Sequence, residues 1–270
     1  MSRFSAVSRL LAVLTTLACA MMAVGPATLL AQTEAPPAPA GSEAPAAFEP
    51  APPVPATVSR PTVPVSEDEV VRGDPARPNV ALVVNVGAGS EPAAGMLDTL
   101  REKGLRTTFF VLGWWAEKNP ELMKRIADEG HEVASHGHSV FDLTSVSDAA
   151  VRADLEAADA AIGAVTGKTT RPLWSPSAGY RDARVRRIAA SLGYRPIYWT
   201  VDSGDWTREA TADGVYRRVM DRTVNGAIVV LHFDSPTTVA STAVALPRLI
   251  DDLRASGFNL VTVTELLTAP

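Results

Sequence analysis

Between Gly130 and Thr144 the chain reads GHEVASHGHSVFDLT, which holds three of its four histidines. Imidazole nitrogens bind divalent metals, and two imidazoles four residues apart share one face of a helical turn. The residue four places after His136 is Val140, whose side chain has no lone pair to offer. The stretch reads as a metal site with a ligand missing.

A second group with chemical reach lies further along. His232 closes the apolar run GAIVVLH, where an imidazole can act as general acid or base near neutral pH. A purely structural histidine is the plain alternative. The segment YWTVDSGDW places Asp202, Asp205 and Trp206 on one loop. As turn residues the aspartates are unremarkable, but Asp205 can also hold the His232 imidazole and favour its protonated form. Trp206 and Trp174 can each present a flat face to a sugar ring or fill the core. Ser175 and Ser177 could join His232 and Asp202 in a serine hydrolase, yet the GxSxG turn is absent. Gly87 and Gly89 make a poor nucleotide loop, because the third glycine position falls at Pro92 and no lysine follows.

The elements that must carry these residues follow a regular rhythm. From Asn79 onward, β-rich runs at Val80 to Val86, Thr107 to Leu112, Glu132 to Ala134, Pro172 to Trp174, Pro196 to Thr200, Ala227 to His232 and Asn259 to Val263 alternate with helical stretches. The helices are expected at Pro92 to Lys103, Pro120 to Glu129, Ser147 to Val165, Asp182 to Leu192, Ala212 to Arg222 and Thr238 to Ala255. Ser90 is read as a cap for the first, and Gly130, Gly167 and Gly193 as terminators of later ones. That order predicts an α/β fold, a distorted barrel of about seven parallel strands, with an open doubly wound sheet as competitor. Asn85, His136, Ser175, Asp202, Asp205 and His232 all fall where strands end, the face on which parallel barrels keep their chemistry.

The amino-terminal third is of another kind. Arg3 and Arg9 precede an apolar run from Leu10 to Ala31 without an acidic residue, the pattern of a secretory signal cleaved after Ala31 or of an uncleaved membrane anchor. Either takes the remainder outside the cytoplasm. The only cysteine, Cys19, lies within this run, so the exported part forms no disulfide of its own. Residues 32–78 are rich in proline and alanine and are expected to be a disordered spacer. Without Arg3 and Arg9 the formal charge goes from -5 to -7, which argues against a nucleic-acid partner and leaves neutral glycans open.

In order and spacing these residues resemble the polysaccharide deacetylases of the NodB-like type, carbohydrate esterase family 4, over roughly Asn79 to Leu267. The resemblance implies a distorted β/α barrel that removes acetyl groups from chitin-like, peptidoglycan or xylan chains with a divalent metal, usually zinc. The family's TFDDG motif corresponds to Val83, Val84, Asn85, Val86 and Gly87, so Asn85 replaces the catalytic base and Val86 a metal ligand. In the second motif His136 is the retained ligand and Val140 replaces its partner. The third, RPP followed by an aromatic and glycine, matches Ser175 to Gly179, or begins at Trp174 with a one-residue shift; neither restores the arginine. The fourth, DxxDW, is intact as Asp202, Asp205 and Trp206, and the fifth persists as Leu231 and His232. By resemblance, Asp205 tunes His232 as the acid that protonates the leaving amine.

The metal and base half is thus degraded and the acid half kept. A metal lowers the pKa of bound water from about 15.7 to about 7, on the order of 12 kcal/mol of hydroxide activation. An amide at position 85 is no substitute for a base at neutral pH. The sequence therefore predicts an exported, cell-envelope pseudoenzyme that binds acetylated glycan, with a protein partner and the oligomeric state left open, and no cofactor. The alternative is an active N- or O-deacetylase with a relocated zinc site drawn from His136, His138, Asp142 and Asp234. A structural spacer built around the proline-rich segment is the third reading.

Overall fold

The computed structural model describes residues 62–139 and 142–268. The expected signal segment, most of the expected spacer and Val140 lie outside the described residues. Within the described residues, eight parallel strands form one curled sheet. In chain order they and their helices are β1 (Asn79–Val86), α1 (Ala93–Glu102), β2 (Thr108–Val111), α2 (Gly113–Lys118), α3 (Pro120–Asp128), β3 (Glu132–Ser135), α4 (Asp148–Thr166), β4 (Leu173–Trp174), α5 (Ala183–Ser191), β5 (Arg195–Pro196), β6 (Val201–Asp202), α6 (Ala212–Arg222), β7 (Ile228–His232), α7 (Pro236–Ala240), α8 (Thr242–Ala255), β8 (Asn259–Leu260) and α9 (Val263–Thr268). Seven strands run in the order β5-β4-β3-β2-β1-β7-β6, and β8 pairs with the start of β1. This is the distorted barrel that the alternating pattern predicts.

The expected strand from Pro196 to Thr200 is two strands with a crossing between them. The Ile197 N–H donates to Trp174 O, the Tyr198 N–H to Val70 O and the Thr200 N–H to Ile228 O, so one run passes from β4 to β7. Val70 pairs with Ile197 and Arg72 with Ala227 along this seam. Val63 is buried with Ala81, Ile197 and Val263, and Glu69 accepts two hydrogen bonds from the Arg181 guanidinium. The folded domain therefore takes in residues that the composition had placed in the spacer. The proline runs stop at Pro64, and on either side of that residue Val63 enters the core and Val70 packs against it.

Period-two alternation in β1 sets up the site. Val80, Leu82, Val84 and Val86 pack beneath the helices, while Ala81 and Val83 face the barrel interior with Phe110, Ile228 and Val230. A strand covered on both faces reads as one apolar run. Asn85 shares the interior face and is in register with His232 on β7. Ser147, Asp182 and Thr211 cap α4, α5 and α6 through their side chains. Ser90 does not cap α1, whose N-cap position is Pro92 without a side-chain bond.

His131 illustrates what the core demands. Its Nδ1 accepts from the Thr107 N–H at 3.2 Å and its ring meets Phe109 edge-on at 4.9 Å. Burial lowers its pKa from 6.5 to about 4. The folded value is depressed, so between those two pH values the unfolded chain takes up a proton that the folded chain refuses. Stability should fall as the pH drops through this window, by about 3 kcal/mol at its lower end. His131→Asn keeps an acceptor for Thr107. Urea unfolding at pH 7 and 4.5 should show the variant losing about 2 kcal/mol less than the natural chain; an equal loss in both would assign the acid sensitivity elsewhere.

Candidate functional site

A cavity of about 450 Å³ opens at the carboxyl ends of the strands, with Asn85, Val86, His136, Trp206, His232 and Asp234 among its lining residues. His232 Nδ1 lies 2.8 Å from Asp205 Oδ1, and the His232 backbone N–H donates to Asp205 Oδ2 at 2.7 Å. The Thr242 hydroxyl donates to the same Oδ2 at 2.5 Å. Burial works against charge on both partners. The mutual attraction prevails, holding the His232 pKa above its ordinary value and the Asp205 pKa below its own. With Nδ1–H donated to Asp205, the neutral ring keeps a lone pair on Nε2, and the protonated ring that Asp205 favours carries an Nε2–H as well.

Asp202 lines the cavity and shapes the loop beside it. Its Oδ1 accepts from the Gly204 N–H at 2.8 Å and from the Trp206 indole N–H at 3.2 Å. The indole is thereby held with 59% of the residue exposed. Trp199 adds a second aromatic lining residue, stacked on Tyr198 at 3.9 Å. The Arg181 guanidinium lies 3.5 Å over the Tyr198 ring.

The opposite half has little that would hold a metal. His136 is buried, and its Nδ1 is 2.8 Å from the Ser175 carbonyl oxygen, so Nδ1 carries the hydrogen. Burial lowers its pKa to about 4. Val86 belongs to the same apolar cluster as Leu112 and Phe233. Among the described residues no three His, Cys, Asp or Glu side chains gather as a ligand set. The residues present do not fit the family's ion.

The set expected for a relocated site is scattered. His136 and Asp234 line the cavity, but the His138 N–H donates to Asp154 Oδ2 at 2.9 Å, and Asp142 accepts from the Thr144 N–H at 2.8 Å. Asp234 accepts from the N–H groups of Gly87 and Ala88, which fastens the loop after β1, and burial raises its pKa. Two expected contact residues are also corrected. Trp174 is fully buried with Leu143, Leu155 and Tyr194, as a core tryptophan. Ser175 is buried and steadies His136 through its carbonyl, without being among the cavity's lining residues. Ser177 does line the cavity, with no hydrogen bond to His232 among the described residues. Thr242 was missed, since a threonine 37 residues from its carboxylate partner leaves no local signal.

The distorted parallel barrel carries an Asp–His pair and an exposed indole at the carboxyl ends of its strands, where α/β-barrel domains keep their sites. The family model of polysaccharide deacetylases matches residues 72–197. The chain is 33% identical over 202 residues to the uncharacterized protein YlxY of Bacillus subtilis, covering 74% of this chain and 60% of that one. To the peptidoglycan-N-acetylglucosamine deacetylase PgdA of Listeria monocytogenes it is 34% identical over 190 residues, covering 69% and 38%. It thus spans less than two thirds of both curated relatives. A solved CE4 family pseudoenzyme from Bacillus anthracis matches with TM-score 0.69 at 30% identity, over 74% of this chain and 69% of that one. A mutant of that protein with restored enzymatic activity gives the same score at 29% identity, over 74% and 71%. The chain belongs to the polysaccharide deacetylase family.

Proposed function

We propose that this chain is an exported, envelope-associated member of its family that binds acetylated cell-wall glycan and has lost, or nearly lost, metal-dependent deacetylation. The observation that carries this reading is the contrast between the two halves of one cavity. Val86 is absorbed into the apolar core, while the Asp205–His232 pair and the Trp206 indole keep an ordered geometry. An indole beside hydrogen-bonding groups suits a sugar ring, whose faces are apolar and whose edge is polar. A relative named as a peptidoglycan-N-acetylglucosamine deacetylase supports the ligand class.

Calorimetry with purified wall fragments and with zinc tests both parts. Wall fragments should bind, and Trp206→Ala should weaken them about tenfold or more, as expected for an aromatic anchor. Nanomolar zinc affinity, or acetate release blocked by a chelator, would overturn the loss of activity. Failure of the natural chain to bind any fragment would overturn the glycan reading.

A further inference from the structure

The seam that covers the margin of the barrel meets the chain's one Asn-Gly pair. Of Asn79, Asn85, Asn119, Asn225 and Asn259, only Asn225 precedes a glycine. The main-chain nitrogen that follows an asparagine can attack the side-chain amide, and glycine, which has no Cβ, hinders that attack least. Fold and reactivity are tied together at this position. Gly226 has a φ of +78°, and a Cβ on it would lie 2.7 Å from Gly73 O. The close passage of the chain at Gly73 therefore demands glycine at the position where glycine makes Asn225 most labile.

The same contacts hold the pair in an unreactive shape. Asn225 and Gly226 are the central residues of a turn closed by the Ala227 N–H, which donates to Val224 O at 3.0 Å. A positive φ at Gly226, with none at Asn225, makes it a type II turn. Closing a five-membered ring on the Gly226 nitrogen needs the Asn225 ψ to swing to the opposite sign. Hydrogen bonds on both residues oppose that swing. Arg72 Nε–H donates to Asn225 O at 2.8 Å, and the Asn225 side-chain amide donates to Pro75 O at 3.3 Å. The Gly73 N–H donates to Gly226 O and the Gly226 N–H to Asn79 O, both at 2.8 Å. The last bond occupies the hydrogen that the attacking nitrogen must give up. Asn225 itself is half-buried, so water reaches it.

We infer that Asn225 is a deamidation site held in check by the seam, and that its modification marks molecules whose seam has opened. The Gly226 nitrogen forms a bond to Asn225 Cγ, the Cγ–Nδ2 bond breaks, and ammonia leaves with the former Gly226 amide hydrogen. Water then opens the succinimide. Cleavage of the nitrogen–Cγ bond gives aspartate, and cleavage of the bond from nitrogen to the main-chain carbonyl carbon gives isoaspartate. No oxidant or reductant takes part. Neither product restores the seam: aspartate has no Nδ2–H for Pro75 O, and isoaspartate adds a carbon to the main chain of a turn whose hydrogen bonds are set for the shorter one. An opening that lasts long enough for the reaction becomes permanent.

The test is incubation of the full chain at mildly alkaline pH, followed by mass spectrometry of the tryptic peptide Thr223–Arg248, in which Asn225 is the sole carboxamide side chain. Labelling by an isoaspartyl methyltransferase identifies isoaspartate. Asn225 should deamidate about tenfold faster or more in the urea-unfolded chain than in the folded one. Arg72→Ala removes a charged donor to Asn225 O at an exposed position and should speed the reaction in the folded chain by about tenfold. Should Arg72→Ala not fold, the natural chain in urea below its unfolding midpoint takes its place, and the rate should rise before the far-ultraviolet circular dichroism changes. Equal rates in the folded and unfolded natural chain, an unchanged rate in the folded variant, or a rise only with global unfolding would overturn the hold of the seam. Absence of deamidation at Asn225 in urea would overturn the site itself.

Discussion

The triple variant Asn85→Asp, Val86→Asp, Val140→His should bind zinc more tightly than the natural chain by well over a hundredfold. Loss of a single group that merely orients a ligand costs about 10- to 100-fold in metal affinity, and two whole ligands are returned here. The framework for them is in place, since Ser175 fixes the His136 ring through Nδ1 and leaves Nε2 as the lone-pair nitrogen. The opposing effect is local. Val86 lies on the helix-facing side of β1 at 0% exposure, and a carboxylate there without an ion should destabilise the fold by about 3 kcal/mol or more. Val86→Asp alone should therefore melt early, and the triple variant should recover its melting temperature when zinc is added. Chelator-sensitive acetate release from an acetylated oligosaccharide is expected alongside. A folded triple variant with no gain in zinc affinity would mean that the substitutions do not mark the former metal position.

Asp205→Ala is expected to have the largest effect of any single substitution on stability. The carboxylate is fully buried and accepts from the His232 amide, the His232 ring and the Thr242 hydroxyl. Its removal strands the part-buried His232 ring and two further donors, at a cost of about 3–5 kcal/mol. The pH dependence gives the effect a signature. The His232 pKa is raised on folding, so its share is complete below the unfolded value of 6.5 and is lost as the pH rises through the folded value. The Asp205 pKa is depressed, so its share is complete above 3.8 and is lost as the pH falls through the folded value. The difference between natural chain and variant in urea unfolding should peak near pH 5 to 6 and shrink toward alkaline pH. A difference that stays flat up to pH 9 would show that the two groups do not act as an ion pair.

How far the sequence carried this picture depended on how local each cause was. Gly130, Gly167 and Gly193 sit at positive φ just after their helices, and conformational preferences of that kind are written into single residues. The pairing of Asp205 with His232 was legible because both end neighbouring strands in a motif of known order. The inward or outward choice at Trp174 was not. β4 has two residues, too few for alternation to declare a face, and the side chain went to the α4 and α5 side. The six-residue helix α2 and the division of Pro196 to Thr200 were missed for a related reason, since short elements are set by tertiary neighbours more than by periodicity. That the buried Asn85 Oδ1 has no hydrogen-bond partner among the described residues is a property of its surroundings, and no pattern in the chain announces it.

The seam beside Ile197 also decides where this protein can be cut. A chain that began at Asn79 would lose the Val70 carbonyl that receives the Tyr198 N–H, the Gly73 amide that bonds Gly226 O and the Glu69 carboxylate that holds Arg181. Main-chain groups bared at the margin of a sheet are a template onto which another copy can add a strand. A protease that cleaves before Thr62 would free a barrel whose margin is still covered. One that cleaves just before Asn79 would free a fragment prone to self-association, so two cuts fewer than twenty residues apart give very different products of proteolysis.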